Sequence, residues 1–545
     1  MTARASIRPY LNQAYLLGLL MVAVGLTLSP FMMGMSQFWL VLVWIFDGFY
    51  TKSFKDKFSR FWHNKAAVLL VAFYLMHVVG LLWTTDFQYA LKDLRVKLPI
   101  LVMPFVMSSM EPVDRKRFDF VMLIYVLSVF IATQFSFVSY LRHDYEDVRE
   151  ISHFISHIRF CLNIVFSMTV IGYYLYKRQS SKGKSVPAFG VRTVVDRFLM
   201  WFLLLWFAFV IYILESLSGY VILSAVALVS AVYVFLQWKK SRAWHIAVGA
   251  ATVAVMVVVA IGVVHYVNPM LKVEPVDFAS LEKTTAQGNP YWHDTVYNPV
   301  EDGKFVGIYY CRKEMQETWP NRSDLPFDGT TTSGENLEAT LARYLTSKDL
   351  RKDAQGVMAL TDEDVHNIEQ GVANYNNWKH PGVHARLSST LFEYNIYRRF
   401  NNPNGGSLSQ RIEFTRASFH IIRQHPWFGV GTGDVPKAFA QTYDEIQSPL
   451  REEFRFRAHN QYLAIAVAFG LVGLAFFLFV LFYPWLASKQ NHTYLYMVFL
   501  FIMLLSMFPE DTLETQAGAT LFAFFSSLLL FAKRLPAGFP TQKDE

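Results

Sequence analysis

The chain has 545 residues, of which 53% are hydrophobic and only 17% charged, a balance too apolar for a soluble protein of this length. Its net charge of +7 does not call for nucleic acid, because much of the basic excess sits in short loops between apolar stretches, where it sets membrane topology. Cys161 lies in an apolar stretch and Cys311 in a polar one, so the two cysteines offer neither a disulfide framework nor metal-ligand spacing.

A bilayer core of ~30 Å needs ~20 apolar residues per helix. Twelve stretches read as such spans, at about 12–28, 31–50, 66–83, 96–110, 118–140, 157–176, 197–214, 217–237, 244–266, 458–486, 492–508 and 514–533. The first has no small-residue cleavage site after it and runs quickly into the second, so no cleavable signal peptide is expected. The 96–110 stretch is short and holds Pro99 and Pro104, which predicts a broken or re-entrant segment buried in protein.

Loop charge orients these spans. One set of loops is basic: Lys52, Lys55, Lys57, Arg60 and Lys65; Arg115, Lys116 and Arg117; Lys177, Arg178, Lys182, Lys184, Arg192 and Arg197; Lys239, Lys240 and Arg242; Lys533 and Arg534. The opposite set holds HDYEDVRE around Asp144, the turn at Glu215, a long polar insert and PEDTLE around Glu510. The two sets alternate, so both termini are expected in the cytoplasm and the insert outside. Lys92, Arg95 and Lys97 fall on the outer side against the bias, where they would snorkel at the interface or bind an anionic ligand.

The insert runs roughly from Asn268 to Arg457 and divides the chain into three expected regions. These are a membrane region of about nine helices (1–267), a mostly helical periplasmic subdomain (268–457), and three membrane helices with a cytoplasmic tail (458–545). The insert is rich in turn signals such as NPYWHD and PFDGTTTSG. Apolar residues at helical spacing around Leu337, Leu341 and Leu345 predict one helix, and Thr361 with an acidic first turn caps a second. A third is expected from about Ser409 to His425, stopped by Pro426 and glycines. The chain shows no internal repeat and no low-complexity segment.

The residues that can carry chemistry cluster late in the chain. Arg411 and Arg416 are five apart, on neighbouring faces of the third helix. In GVGTG, Gly429, Gly431 and Gly433 either allow positive φ and close backbone approach to a ligand or do no more than stop the helix. His459, followed by Asn460, opens the next apolar stretch in FRFRAHNQYL. Ionisable groups at such a membrane mouth are costly and so tend to be functional, although an interfacial histidine bonded to loop backbone has the same pattern. Arg455 and Arg457 precede it and suit anionic headgroups or a diphosphate. Glu510 and Asp511 either orient His459 or the acceptor, or only mark the outer loop. His153 and His157, four apart, lack a third ligand and read as interfacial polar residues.

This block resembles the O-antigen ligase / O-antigen polymerase family of membrane glycosyltransferases. The family pattern is an arginine, a helix, Pro-x-x-Gly-x-Gly, then a His-Asn pair opening a membrane helix with a glycine-rich turn. Here these are Arg411, Pro426 to Gly431, His459-Asn460 and Gly470-Leu471-Val472-Gly473. A second family arginine corresponds to Arg159 in SHIRFCLNI. The close match covers about seventy residues, and the layout of spans with a late external loop extends it over the chain.

The resemblance implies an all-α polytopic enzyme of the bacterial inner membrane. It would move a glycan from an undecaprenyl diphosphate carrier to an acceptor hydroxyl on the periplasmic face. Ligases of the family use lipid A–core, polymerases another carrier-linked glycan, and a related branch protein hydroxyls. Arg159 and Arg411 would then bind the donor diphosphate, since arginine's planar fork suits phosphate oxygens. His459 would serve as base. Arg416, Arg457, Asn460, Gly429, Gly431, Glu510 and Asp511 are candidate supporting residues. No cofactor is called for, and the lack of a DxD-like cluster near this block fits a metal-independent reaction. The partners expected are the lipid-linked donor, the glycan acceptor and membrane lipids. A lipid-linked glycan transporter is the rival of a different class, but it should place charges at mid-membrane depth in several helices, whereas Asp47 and Glu215 lie near span ends. A non-catalytic scaffold is a third, distinguished by whether His459 matters to any activity.

Overall fold

The computed structural model describes residues 2–143, 145, 148–180, 194–238, 241–487 and 494–533. Of the residues used to orient the chain, Lys182, Lys184, Arg192, Lys239, Lys240, Arg534 and Asp144 lie outside the described residues.

The chain is an all-α polytopic membrane protein. It opens with α1 (Thr2–Leu28), α2 (Pro30–Thr51), α3 (Phe54–His63), α4 (Lys65–Val79), α5 (Phe87–Ser109), α6 (Arg115–Arg142), α7 (His157–Ser180), α8 (Val194–Ile213), α9 (Leu217–Trp238) and α10 (Arg242–Leu271). The polar insert follows, with a two-stranded antiparallel ribbon of β1 (Val300–Glu301) and β2 (Lys304–Phe305), then α11 (Arg312–Thr318), α12 (Leu337–Ser347), α13 (Ala354–Met358), α14 (Asp362–Glu369), α15 (Tyr375–Lys379) and α16 (Val383–Phe400). The chain closes with α17 (Ser407–Gln424), α18 (Val435–Glu445), α19 (Gln461–Ala487), α20 (Tyr494–Ser506) and α21 (Gln516–Phe531).

Among the described residues, nine helices are long and apolar enough to cross a membrane: α1, α2, α4, α6 to α10 and α19. The other three expected spans are helical too. α20 and α21 are shorter, at 13 and 16 residues. The expected break at 96–110 does not occur, because α5 is one continuous helix of 23 residues with both prolines inside it. A proline removes a backbone donor and presses on the carbonyl four residues back. Here Pro99 and Pro104 are buried, and α5 is packed between α4 and α21; that packing carries the helix through them.

Local capping starts several of these helices where the sequence changes character. Ser29 accepts a hydrogen bond from the Met32 N–H with Pro30 at the first helical position. Asp86 caps α5 through the Tyr89 N–H, and Asp114 caps α6 through the Arg117 N–H. α21 is buried nearly all round, as expected of a helix at the centre of a membrane bundle.

Two compact units form. The first comprises Met1–Trp244, Phe414–Gln447 and Arg455–Glu545. In it α1 packs on α2 and α6, α5 on α4 and α21, α19 on α4, and α20 on α7 and α9. The second comprises His245–Glu413 and Ser448–Phe454. Its core is Met315, Trp319, Phe327, Leu337, Leu341, Tyr344, Leu345, Val357, Leu360, Val365 and Ile368. Thr361 caps α14 in a reciprocal capping box with Asp364. α16, a helix missed in the sequence reading, packs beside β1.

This division differs from the expected 268–457 block. The segment after α17 joins the membrane unit because its polar groups are satisfied there. Asp434 accepts from the Thr85 N–H, the Thr85 hydroxyl and the Asp86 N–H, each at 2.8 Å.

Candidate functional site

His459 precedes α19 by two residues and has φ of 44°, in the left-handed region. That conformation is uncommon for residues other than glycine and is costly unless its surroundings hold it. The surroundings do so. The imidazole packs against the rings of Phe414 and Phe456, with centroids at 5.5 and 6.1 Å. The next two residues are fixed by hydrogen bonds. Asn460 caps α19 by accepting from the Leu463 N–H at 3.0 Å and donates to the Phe508 carbonyl at 2.9 Å. Gln461 donates its backbone N–H to the Met507 carbonyl at 2.9 Å, accepts from the Leu513 N–H at 2.7 Å and donates its amide to Glu514 at 3.0 Å. The start of α19 is thereby tied to the turn between α20 and α21.

That turn brings acids to the histidine. Nδ1 of His459 is 3.9 Å from Glu510 Oε2 and 4.0 Å from Asp511 Oδ1. Nδ1 is buried and has no hydrogen-bond partner as it stands. A small rotation of the ring would close either gap, and apo sites often hold such contacts long. Asp511 is ion-paired with Arg457, whose guanidinium also reaches the Glu514 carbonyl at 3.5 Å. Burial pushes the Asp511 carboxyl above its ordinary range, against the pull of Arg457. Burial acts the same way on Glu514, but Lys97 and Arg457 outweigh it and hold that carboxyl well below its ordinary value.

Lys97 corrects the sequence reading. It neither snorkels nor faces a ligand: its side chain is 2% exposed, ion-paired with Asp93 and 2.6 Å from Glu514 Oε2. Lys92 and Arg95, its companions in the charge argument, are exposed.

Arg159, near the start of α7, is close enough for the charges of Glu510, Asp511 and Arg457 to act on it. One of its terminal nitrogens donates to the Ser156 hydroxyl at 2.7 Å, and its Nε is buried without a hydrogen-bond partner. Arg411 and Arg416 both sit on α17, with Arg411 in the second unit and Arg416 in the first. Arg455 is engaged away from His459, in an ion pair with Asp444 at 2.7 Å. His153 hydrogen-bonds Ser139 at 2.7 Å, in keeping with an interfacial polar residue.

The two glycine motifs are halves of one device. α19 breaks at Gly470, where φ is 66° and ψ is −167°. The break leaves carbonyls before it and amides after it without helical partners. The Pro426–Gly431 segment lies alongside and supplies them. Val430 and Gly431 donate to the Val467 and Ala468 carbonyls at 3.0 and 2.9 Å, while Leu471 and Val472 donate to the Pro426 and Trp427 carbonyls at 2.8 and 3.3 Å. Backbone meets backbone so closely that a Cβ on Gly429 would fall 2.4 Å from Ala468, and one on Gly470 would fall 2.3 Å from Trp427. The amide of Gly431 is therefore occupied by the helix, and the glycines set the course of α19 behind His459.

Sequence reasoning missed Gln461 and Glu514 and misread Lys97. Gln461 was within reach as the third residue of HNQYL; Lys97 and Glu514 are 417 positions apart and left no local pattern. It also missed that three ligand-type side chains converge at this site. His459 Nδ1 and carboxylate oxygens of Glu510 and Asp511 lie within 4.8 Å of one another, one nitrogen and two oxygens of the kind a divalent cation accepts. A larger cavity of about 520 Å³ lies elsewhere, lined by Arg8, Asp47, Arg60, Arg117 and Lys533 among others. It contains none of the expected site residues and has no histidine, so the chemistry is read from the His459 cluster instead.

No curated protein matches the chain. Residues 374–478 match the family model for O-antigen ligase, a stretch that includes Arg411, Arg416, Gly429, Gly431, Arg457, His459, Asn460 and Gly470. The match supports the resemblance over that stretch, in a multi-pass chain with nine helices, among the described residues, long and apolar enough to cross a membrane.

Proposed function

We propose that this protein transfers a glycan from an undecaprenyl diphosphate carrier to the lipid A–core on the periplasmic face of the inner membrane, with both termini in the cytoplasm. One observation carries the reading. A histidine inside the O-antigen ligase match is held in a strained conformation with Nδ1 facing two carboxylates and an arginine nearby.

The chemistry follows from that arrangement. Glu510 or Asp511 accepts a hydrogen bond from the Nδ1–H of His459 and orients the ring, leaving the unprotonated Nε2 to take the proton of the acceptor hydroxyl. The freed oxygen bonds to the anomeric carbon of the donor sugar as the bond from that carbon to the diphosphate oxygen breaks. The electron pair leaves with undecaprenyl diphosphate, whose charge Arg159 and Arg411 neutralise through bidentate contacts. Asn460 and Gln461 hold the start of α19, and Arg457 keeps Asp511 in place. We infer that arginines rather than a metal ion offset the leaving-group charge. Transfer unaffected by a chelator supports this; loss with a chelator and recovery with a divalent cation would assign His459, Glu510 and Asp511 to that cation instead.

The glycan profile of a deletion strain tests the function. Ligation predicts loss of all long glycan on lipid A–core with carrier-linked polymer accumulating, reversed by the wild-type gene. A single repeat left on the core would make the protein a polymerase. An unchanged lipopolysaccharide with loss of protein-linked glycan would make the acceptor a protein hydroxyl.

A further inference from the structure

We propose that Lys97 is a positioning residue for His459, acting through the turn that carries Glu510, Asp511 and Glu514. The inference rests on the reading of His459 as the base and goes beyond it, since Lys97 touches neither the histidine nor any group assigned to substrate.

The path is continuous and made of charged contacts. Lys97 lies on α5 between Asp93 and Glu514, 2.6 Å from Glu514 Oε2. Glu514 receives the Gln461 amide on its other oxygen at 3.0 Å and faces Arg457 at 3.9 Å. Arg457 pairs with Asp511, and Asp511 faces His459 Nδ1 at 4.0 Å. The void beside this group, lined by His77, Tyr89, Asp93, Lys97, Arg457 and Glu514 among others, is only about 20 Å³, room for about one water. Lys97, Glu514 and Asp511 are therefore little screened by bulk water, and the loss of one charge redirects the others.

Two features argue that this is more than a stabilising ion pair. Buried ion pairs are poor stabilisers, because desolvation offsets most of the attraction. They are good at specifying one arrangement among several, and the arrangement specified here is the placing of Asp511 and Glu510 beside His459. Without the ammonium, Glu514 has Arg457 as its nearest remaining cation. Arg457 would then move from Asp511 towards Glu514, and the acids would lose register with Nδ1. A displacement of about 1 Å at a catalytic group can cost about 10²-fold in rate.

The test is steady-state transfer and donor binding by purified full-length Lys97→Met, alone and combined with His459→Ala. The expected result is a fall in kcat of about 10²-fold with the donor KM within about threefold of wild type. In the His459→Ala background, Lys97→Met should cost nothing further, because it acts through the histidine. Should Lys97→Met not insert, Asp93→Asn/Lys97→Met removes the second stranded charge and is expected to give the same kinetics. A wild-type kcat, a loss confined to KM, or an equal further loss in the His459→Ala background would overturn the proposal. If His459→Ala itself transfers at the wild-type rate, the base assignment fails whatever Lys97 does; if His459→Ala loses transfer and Lys97→Met does not, only this inference fails.

Discussion

Among the described residues, two lysines are buried in the membrane unit, and they are used differently. Lys57, on α3, has a fully buried side chain. It donates to the Trp44 carbonyl at 2.7 Å, pairs with Asp47 at 2.8 Å and lies 5.0 Å from the Trp44 ring. Its oxygen partners sit at the end of α2, within 13 residues, and its ammonium also donates to the Met110 sulfur just past α5 at 3.3 Å, so it closes the corner where α2, α3 and the end of α5 meet. Lys97 is as deeply buried, but it reaches Glu514, 417 residues away, and Glu514 is shared with Arg457 and Gln461. A buried charge whose partners hold only one corner of the fold is a fastening. One whose partner is shared with groups around a histidine couples two regions of the fold. Burial alone does not separate the two cases; the next shell of partners does.

The sharpest way to break this comparison is to remove each ammonium in turn. Lys97→Met should lower transfer by about 10²-fold. Lys57→Met should leave the rate per folded molecule unchanged while destabilising the protein by about 3–5 kcal/mol, since it strands a paired carboxylate. Thermal unfolding in detergent alongside transfer assays reads both. Equal catalytic losses would erase the distinction.

A smaller effect is expected at Arg159, which lies on the side of Glu510 and Asp511. Arg159→Lys keeps the charge but loses the planar fork. If Arg159 grips the diphosphate through one charge-assisted hydrogen bond more than lysine can make, transfer should fall about tenfold or somewhat more. Wild-type transfer by Arg159→Lys would remove it from the donor site.

The glycine device behind His459 gives a stability effect of about 1–3 kcal/mol. Gly429→Ala and Gly470→Ala drive a Cβ into backbone at 2.4 and 2.3 Å, at positive φ in both cases. Gly262→Ala, where nothing lies within 4 Å, should be neutral or slightly stabilising. Similar melting temperatures for all three would contradict the close backbone packing.

Acid should act weakly on both units. Glu514 is held below its ordinary range by Lys97 and Arg457 against the opposing effect of burial, and Asp364 by Lys348 and the α14 cap against the same effect. A carboxyl depressed in the folded state contributes stability that is present above the unfolded values of 3.8 for Asp and 4.5 for Glu and is lost as the pH falls. Unfolding midpoints should therefore be flat near neutrality and drop on acidification, less so in Asp364→Asn.

Much of this was legible in the sequence, for definable reasons. Membrane helices announce themselves by local hydropathy, and the Thr361 cap and His-Asn pair are local patterns. α5 was misread because Pro99 and Pro104 weaken a helix locally, whereas its packing against α4 and α21 is tertiary. The glycines were read either as permissive of ligand approach or as a helix stop; their amide partners on α19 lie about forty positions on and carry no signature in GVGTG itself. Lys97 was misread for the same reason. Its charge violated the loop bias, and snorkelling was the local explanation, while the true partner sits at the far end of the chain.

The central claim is that His459 takes the proton of the acceptor. The most direct measurement is transfer by purified His459→Ala beside donor binding by the same preparation. The account predicts a loss of about 10²–10⁴-fold in transfer with the lipid diphosphate still bound as by wild type. Near-normal transfer, or a loss of transfer matched by a loss of donor binding, would contradict it, the second result making the histidine a donor ligand rather than a base.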